Sequence, residues 1–201
     1  PGGNNHGGLV EVNGTYYIFY HRHTNGTPYS RQGCFEKIRI LPDGSIPQVE
    51  MTSCCGCDPL PGRGEYPTYL ACNLFKEEKP IDPRRPLWMQ ATMPCITQDG
   101  RDGDEETGYI AEVCDGTTVG FKYFLFEGVH KITVRMRGYI SGKWEVKTAW
   151  DGEVLGTIDG IHFTNIWTAY EGDVAVPDGV HALYFTFRGS GSGMFGTFCL
   201  E

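Results

Sequence analysis

Along the first fifty residues apolar positions come in short alternating runs. Residues 9–12, 15–21, 34–40 and 47–51 are rich in aromatic and β-branched side chains, and Asn13-Gly14, Asn25-Gly26 and Asp43-Gly44 interrupt them. Period-two runs broken by Asn-Gly and Asp-Gly predict four short antiparallel strands joined by tight turns. From 54 to 87 the pattern fails. Cys54-Cys55-Gly56-Cys57, Pro59, Pro61-Gly62 and Pro67 precede the charged stretches Lys76-Glu77-Glu78-Lys79-Pro80 and Arg84-Arg85-Pro86. So many breakers predict a linker wrapping between two domains. Alternation returns at 88–93, 109–113, 118–126, 128–138, 144–150, 153–158, 166–176, 179–188 and 194–200, at the spacing of a β-sandwich. No ten-residue window carries a helical period of apolar residues, so the chain is expected to be all-β.

Composition changes this picture little. The 201 residues include 28 Gly and 12 Pro, with 40% hydrophobic and 21% charged residues, as in an ordinary turn-rich globular protein. The first fifty residues are too few to close a core alone, and a lone four-stranded sheet has the form of one propeller blade, which needs neighbours.

A net charge of −8 with scattered Lys and Arg excludes a phosphate-binding face, so no nucleic-acid partner is expected. No run approaches the ~20 apolar residues of a membrane span, so no membrane partner is expected either. The start, Pro1-Gly2-Gly3-Asn4-Asn5-His6, has no signal-peptide character and no Met, which leaves localisation open between extracellular and cytoplasmic. Eight cysteines fit no paired zinc spacing, and Cys95, Cys114 and Cys199 fall in apolar runs. Mostly free, buried thiols are expected.

His21 and His23 alternate on one expected strand and share a face, either as a metal-binding pair or as a polar strand end. The run Asp99-Gly100-Arg101-Asp102-Gly103-Asp104-Glu105-Glu106 gathers carboxylates around glycines but lacks EF-hand spacing, so it reads as a solvated acidic loop. Glu11, Glu36 and Glu50 lie in strands or at edges and read as surface charges.

Asn4-Asn5-His6-Gly7-Gly8, then Tyr16-Tyr17-Ile18-Phe19-Tyr20-His21-Arg22-His23 and Ser30-Arg31-Gln32, resemble the last blade of glycoside hydrolase family 43. That family forms a five-bladed β-propeller and includes arabinofuranosidases, xylosidases and arabinanases. The resemblance implies that His6 stands near the propeller axis, close to a central metal ion such as calcium in the complete propeller. It implies that Arg31 reaches toward the substrate pocket. Inverting hydrolysis needs an acid and a base carboxyl. The family takes its base, orienting aspartate and acid from earlier blades, so no catalytic residue is expected here and the chain alone is expected to be inactive.

From residue 88, Gly108-Tyr109-Ile110 leading into Asp115-Gly116-Thr117-Thr118-Val119-Gly120-Phe121-Lys122, then Val134-Arg135-Met136 and Gly179-Val180-His181-Ala182-Leu183-Tyr184-Phe185-Thr186-Phe187, resemble carbohydrate-binding module family 6. The implied fold is a jelly-roll β-sandwich whose cleft grips a sugar between two aromatic rings, here Tyr109 and Trp167. Polarised sugar C–H groups pack on a π face while hydroxyls bond at the rim. Two positions depart from that family. Gly196 stands where an asparagine usually bonds the sugar, and Thr92 and Phe198 stand where a structural calcium usually finds its carboxylates.

The resulting expectation is a last blade over 1–53, a linker over 54–87 and a carbohydrate-binding sandwich over 88–201. Together they would form the C-terminal part of a hemicellulose-degrading enzyme that binds arabinoxylan, xylan or arabinan. Its other partner would be the missing N-terminal blades. The alternative is a sandwich that only braces the propeller.

Overall fold

The computed structural model describes residues 6–27, 29–77, 93–101 and 108–201. Three antiparallel strands, β1 (Gly8–Val12), β2 (Thr15–His23) and β3 (Arg31–Ile38), form a small sheet in that order. Asn13 and Gly14 both take positive φ, as a tight hairpin matched to strand twist requires.

The fourth strand expected at 47–51 does not form. Pro47 has no N–H to give a ladder. Glu50 turns instead to the larger sheet, accepting hydrogen bonds from Lys122 Nζ at 2.6 Å and Tyr123 Oη at 2.8 Å.

The second sheet gathers β4 (Leu60–Pro61), β5 (Gly64–Pro67), β6 (Asn73–Lys76), β7 (Cys95–Thr97), β8 (Tyr109–Cys114), β9 (Thr117–Phe126), β10 (Lys131–Lys147), β11 (Gly156–Ile161), β12 (Thr164–Asp173) and β13 (Gly179–Leu200). A 3-10 turn, η1 (Thr68–Leu70), follows β5. Long, bent strands let this sheet fold over itself as a sandwich. β13 pairs with β9 at its start, with β10 along most of its length, and with β8 and β5 near its end. Among the described residues no helix is long and apolar enough to cross a membrane.

Two expectations need correction. The runs 128–138 and 144–150 are parts of one strand, as are 179–188 and 194–200. Their glycines are sites of close backbone approach, not turns: a Cβ on Gly142 would lie 2.2 Å from Arg188 O, and one on Gly189 2.1 Å from Ser141 O. The linker expected over 54–87 is, in its described part, built into the sandwich. β4 runs parallel to β9, β6 antiparallel to β9, and β5 antiparallel to β13. Such short edge strands carry no periodicity to read. Residues 78–87, residues 88–92 of the strand expected at 88–93, and residues 102–106 of the acidic loop lie outside the described residues.

The sandwich core is aromatic. Phe121, Phe124, Phe126, Phe185, Phe187, Phe195, Phe198 and Trp144 are fully buried, each stabilising the fold by roughly 1.5–3 kcal/mol. All eight cysteines are free thiols, but only Cys54 and Cys114 are buried and Cys57 is exposed. The sheets meet through backbone bonds: Asn25 N donates to Ile96 O at 2.8 Å, and Ser53 N and Cys54 N both donate to Lys122 O.

Candidate functional site: an aromatic cleft closed by an arginine

Tyr109 opens β8 and Trp167 lies on β12, and the sandwich brings both to a cleft of about 270 Å³. The rings do not face each other across a slot. Their centroids are 5.4 Å apart with planes at 68°, an edge-to-face contact. A sugar held between two rings needs them about 7–8 Å apart, twice an ordinary carbon contact.

Arg137 on β10 occupies the junction. Its guanidinium carbon lies 4.5 Å from the Trp167 ring centroid and 5.2 Å from that of Tyr109. Nη2 donates to both Asp99 oxygens, at 2.9 and 2.8 Å, and Tyr109 Oη donates to Asp99 Oδ1 at 2.9 Å. Cation–π contact and a charge-assisted fork fix the two rings together. Burial pushes the Asp99 carboxyl up, but the hydrogen bonds from Tyr109 and Arg137 outweigh it and hold it below the ordinary range. Tyr109 is pushed up, first by burial and then by its bond to that carboxylate.

Gly196 forms the floor. A Cβ there would lie 2.9 Å from Trp167 Cζ3, so any side chain at 196, asparagine included, would force the tryptophan to shift. The floor is pinned by Thr68, whose hydroxyl lies 2.5 Å from Phe195 O and 3.0 Å from Gly196 O. At the rim Thr197 Oγ1 donates to Glu65 Oε1 at 2.7 Å, with Arg135 Nε 3.8 Å from the same oxygen. Trp167 is half-buried, leaving part of its surface open to this polar rim.

Sequence reasoning brought Tyr109 and Trp167 together but missed Arg137, Asp99, Glu65 and Thr197. The available signal was alternation after the Val134-Arg135-Met136 motif, which places 135 and 137 on one face. Arg31 starts β3 of the small sheet, exposed and opposite His23. His6 is exposed, with its ring 5.0 Å from His21, which is 5.9 Å from His23. Among the described residues no group of three His, Cys, Asp or Glu is arranged to hold a metal ion. Phe198 is a core ring 4.6 Å from Phe121 and offers no oxygen, and Thr92 lies outside the described residues.

Glu36 is not a surface charge. It is buried and accepts hydrogen bonds from Thr52 N at 2.7 Å, Thr52 Oγ1 at 2.8 Å and Tyr20 Oη at 3.3 Å. Glu50, half exposed, is held by Lys122 and Tyr123.

No family model matches the chain. It is 61% identical over 201 residues to a xylosidase/arabinosidase of Thermoclostridium stercorarium, covering 99% of this chain and 42% of that protein. A Bacillus subtilis glycoside hydrolase family 43 arabinoxylan arabinofuranohydrolase, solved with cellotetraose, shares the fold across 100% of this chain and 41% of its own, with a TM-score of 0.62 and 20% identity. The chain is thus similar to a part of a xylosidase/arabinosidase and has the fold of a part of a glycoside hydrolase family 43 structure.

A β-1,3-glucan-binding family 6 module of Bacillus halodurans has the sandwich fold, with a TM-score of 0.55 and 20% identity, covering 72% of this chain and 99% of its own. The Clostridium stercorarium module CsCBM6-3, solved with cellobiose, matches 72% of this chain and 97% of its own, with a TM-score of 0.54 and 14% identity. Both matches are longer than residues 88–201, in keeping with the strands that 60–76 adds to the family 6-like sandwich. The chain spans about two-fifths of the length of the xylosidase/arabinosidase and of the arabinofuranohydrolase.

Proposed function

We propose that this chain is the carbohydrate-binding arm of a hemicellulose-degrading glycoside hydrolase of arabinofuranosidase or xylosidase type, with the catalytic carboxylates elsewhere in the complete protein. The observation that carries this reading is Trp167, held rigid over Gly196 by Arg137 and Tyr109 and open toward a rim of Glu65, Arg135 and Thr197. A pyranose stacks its C–H face on the exposed side of Trp167, and its hydroxyls meet the rim. The ring is held on one side, not clamped on two.

Arabinoxylan, xylan and arabinan are the ligands of choice, because the relatives named above are a xylosidase/arabinosidase and an arabinoxylan arabinofuranohydrolase. In the blade, Arg31 and His6 take the family's places beside the substrate pocket and the central metal of the complete propeller. The missing N-terminal blades are the natural cover for the exposed Leu9, Val10, Val12 and Phe19 of the small sheet.

Calorimetric titration of the chain with xylo- and arabino-oligosaccharides tests the reading, beside Trp167→Ala. Saturable heat that disappears in the variant supports it. A second reading, a sandwich that only braces the propeller, is favoured by the arginine filling the ring junction. No heat with any of these sugars would establish that second reading instead.

A further inference from the structure

Arg22 leaves β2 of the small sheet and is half-buried at the junction with the sandwich. Its Nε donates to Oε1 of Gln32, its cross-strand neighbour on β3, at 2.8 Å. Nη1 donates to the carbonyl of Ala71 and Nη2 to that of Tyr69. Those carbonyls belong to the end of η1 and the residue just after it, where a helical turn leaves its acceptors without partners of its own. A rigid guanidinium fork satisfies two such carbonyls at once, which a lysine ammonium on a flexible stem does less well.

The same turn builds the cleft floor. Thr68 bonds the carbonyls of Phe195 and Gly196 beneath Trp167. Tyr69 packs against Gly108, where a Cβ would lie 3.3 Å from its ring, one residue before Tyr109. A continuous set of contacts therefore runs from β2 through η1 to both aromatic residues.

We propose that Arg22 is a positioning residue that sets the geometry of the sugar cleft from the propeller side, making blade and cleft one mechanical unit. The sugar part of this inference rests on the binding function proposed above. Because coupling is reciprocal, a sugar in the cleft is also felt along β2 and β3, the strand that Arg31 begins.

The test compares the 201-residue chain with Arg22→Ala and Arg22→Lys by hydrogen exchange and by titration with xylotetraose and arabinoxylan oligosaccharides. Loss of hydrogen bonds from a charged donor should speed exchange at residues 68–72 and 194–198 by roughly tenfold or more and weaken saccharide binding by a similar factor. Exchange in the central parts of β9 and β10 should stay unchanged, and the lysine variant should recover only part of the loss.

Exchange at 194–198 within about twofold of the unaltered chain in the alanine variant would overturn the proposal. So would uniform acceleration through β9 and β10, which would reveal a general loss of stability. Saccharide affinity unchanged despite faster exchange would overturn it too. If the unaltered chain binds no saccharide, the binding function fails, and the exchange at 194–198 alone decides whether Arg22 sets the cleft.

Discussion

Gly196→Asn sets two arguments in opposition. By analogy with family 6 modules, an asparagine here restores a polar contact to the sugar and should strengthen binding. The geometry requires the reverse. A Cβ at 196 lies 2.9 Å from Trp167 Cζ3 and 3.2 Å from Cε3 and Cη2, whereas carbon atoms rest at about 3.5–4.0 Å, so the indole must retreat by roughly half to one ångström.

It has little freedom to do so. Arg137 lies 4.5 Å from the indole centroid, anchored to Asp99, and the Tyr109 ring meets it edge-on at 5.4 Å. Overpacking of this kind costs about 1–3 kcal/mol, and at this chain length each kcal/mol lowers Tm by roughly 2–4 °C. Thermal unfolding and saccharide titration of Gly196→Ala and Gly196→Asn should show lower Tm and weaker binding in both. In a Trp167→Ala background the Gly196→Ala cost should fall below about 0.5 kcal/mol, since the clash has gone. An asparagine variant that melts at the original temperature and binds sugar more tightly would refute the reasoning.

Three other outcomes are expected. Asp99 is depressed by its partners in the folded state, so its stabilising effect is present above the ordinary carboxylate pKa near 4 and is lost as pH falls through the lower folded value. The Tm difference between the unaltered chain and Asp99→Asn should shrink between pH 5 and pH 2.5, only modestly because Asp99 is half exposed; a constant difference would contradict the assignment. An aromatic disulfide reagent should titrate eight thiols after unfolding without reductant, whereas in the folded chain Cys57 should react first and Cys34, Cys72 and Cys95, pushed up by burial, slowly. A shortfall in the unfolded count would expose a disulfide. Among the described residues Trp144 Nε1 is buried without a hydrogen-bond partner, so Trp144→Phe removes an unsatisfied donor along with ring volume and should cost less than about 2 kcal/mol by urea denaturation; a larger loss would mean the donor is satisfied.

The strands were legible wherever alternation ran uninterrupted, as in β2, β9 and the apolar stretches of β10 and β13. Glycine misled the reading in one consistent way. Gly138, Gly142, Gly189 and Gly191 look like turn signals in sequence, yet in the sheet they let β10 and β13 approach where a Cβ would collide. The segment 60–76 misled it for the opposite reason. Two- and four-residue strands rich in Pro and Gly have no period, and their identity comes from β9 and β13, which lie far along the chain. At the cleft, the resemblance marked Tyr109 and Trp167 because aromatic residues stand out. Arg137 reads as one more exposed charge on a strand; what fixes it in the cleft is Asp99, 38 residues earlier, together with the two rings.

How the cleft is mounted bears on what binding would accomplish. A module on a flexible tether raises the local concentration of polysaccharide, with an effect set by tether length, but leaves the bound chain free to present any bond. Here the segment that reads as a tether contributes β4, β5 and β6 to the sandwich and carries η1, which Arg22 grips from the blade and Thr68 joins to the cleft floor. A sugar stacked on Trp167 would then hold a fixed direction relative to β2 and β3. Binding through this cleft should therefore favour certain positions along a polymer over others, in addition to enriching polymer near the chain. An insertion of flexible residues within 60–76 should remove that positional preference before it removes binding itself.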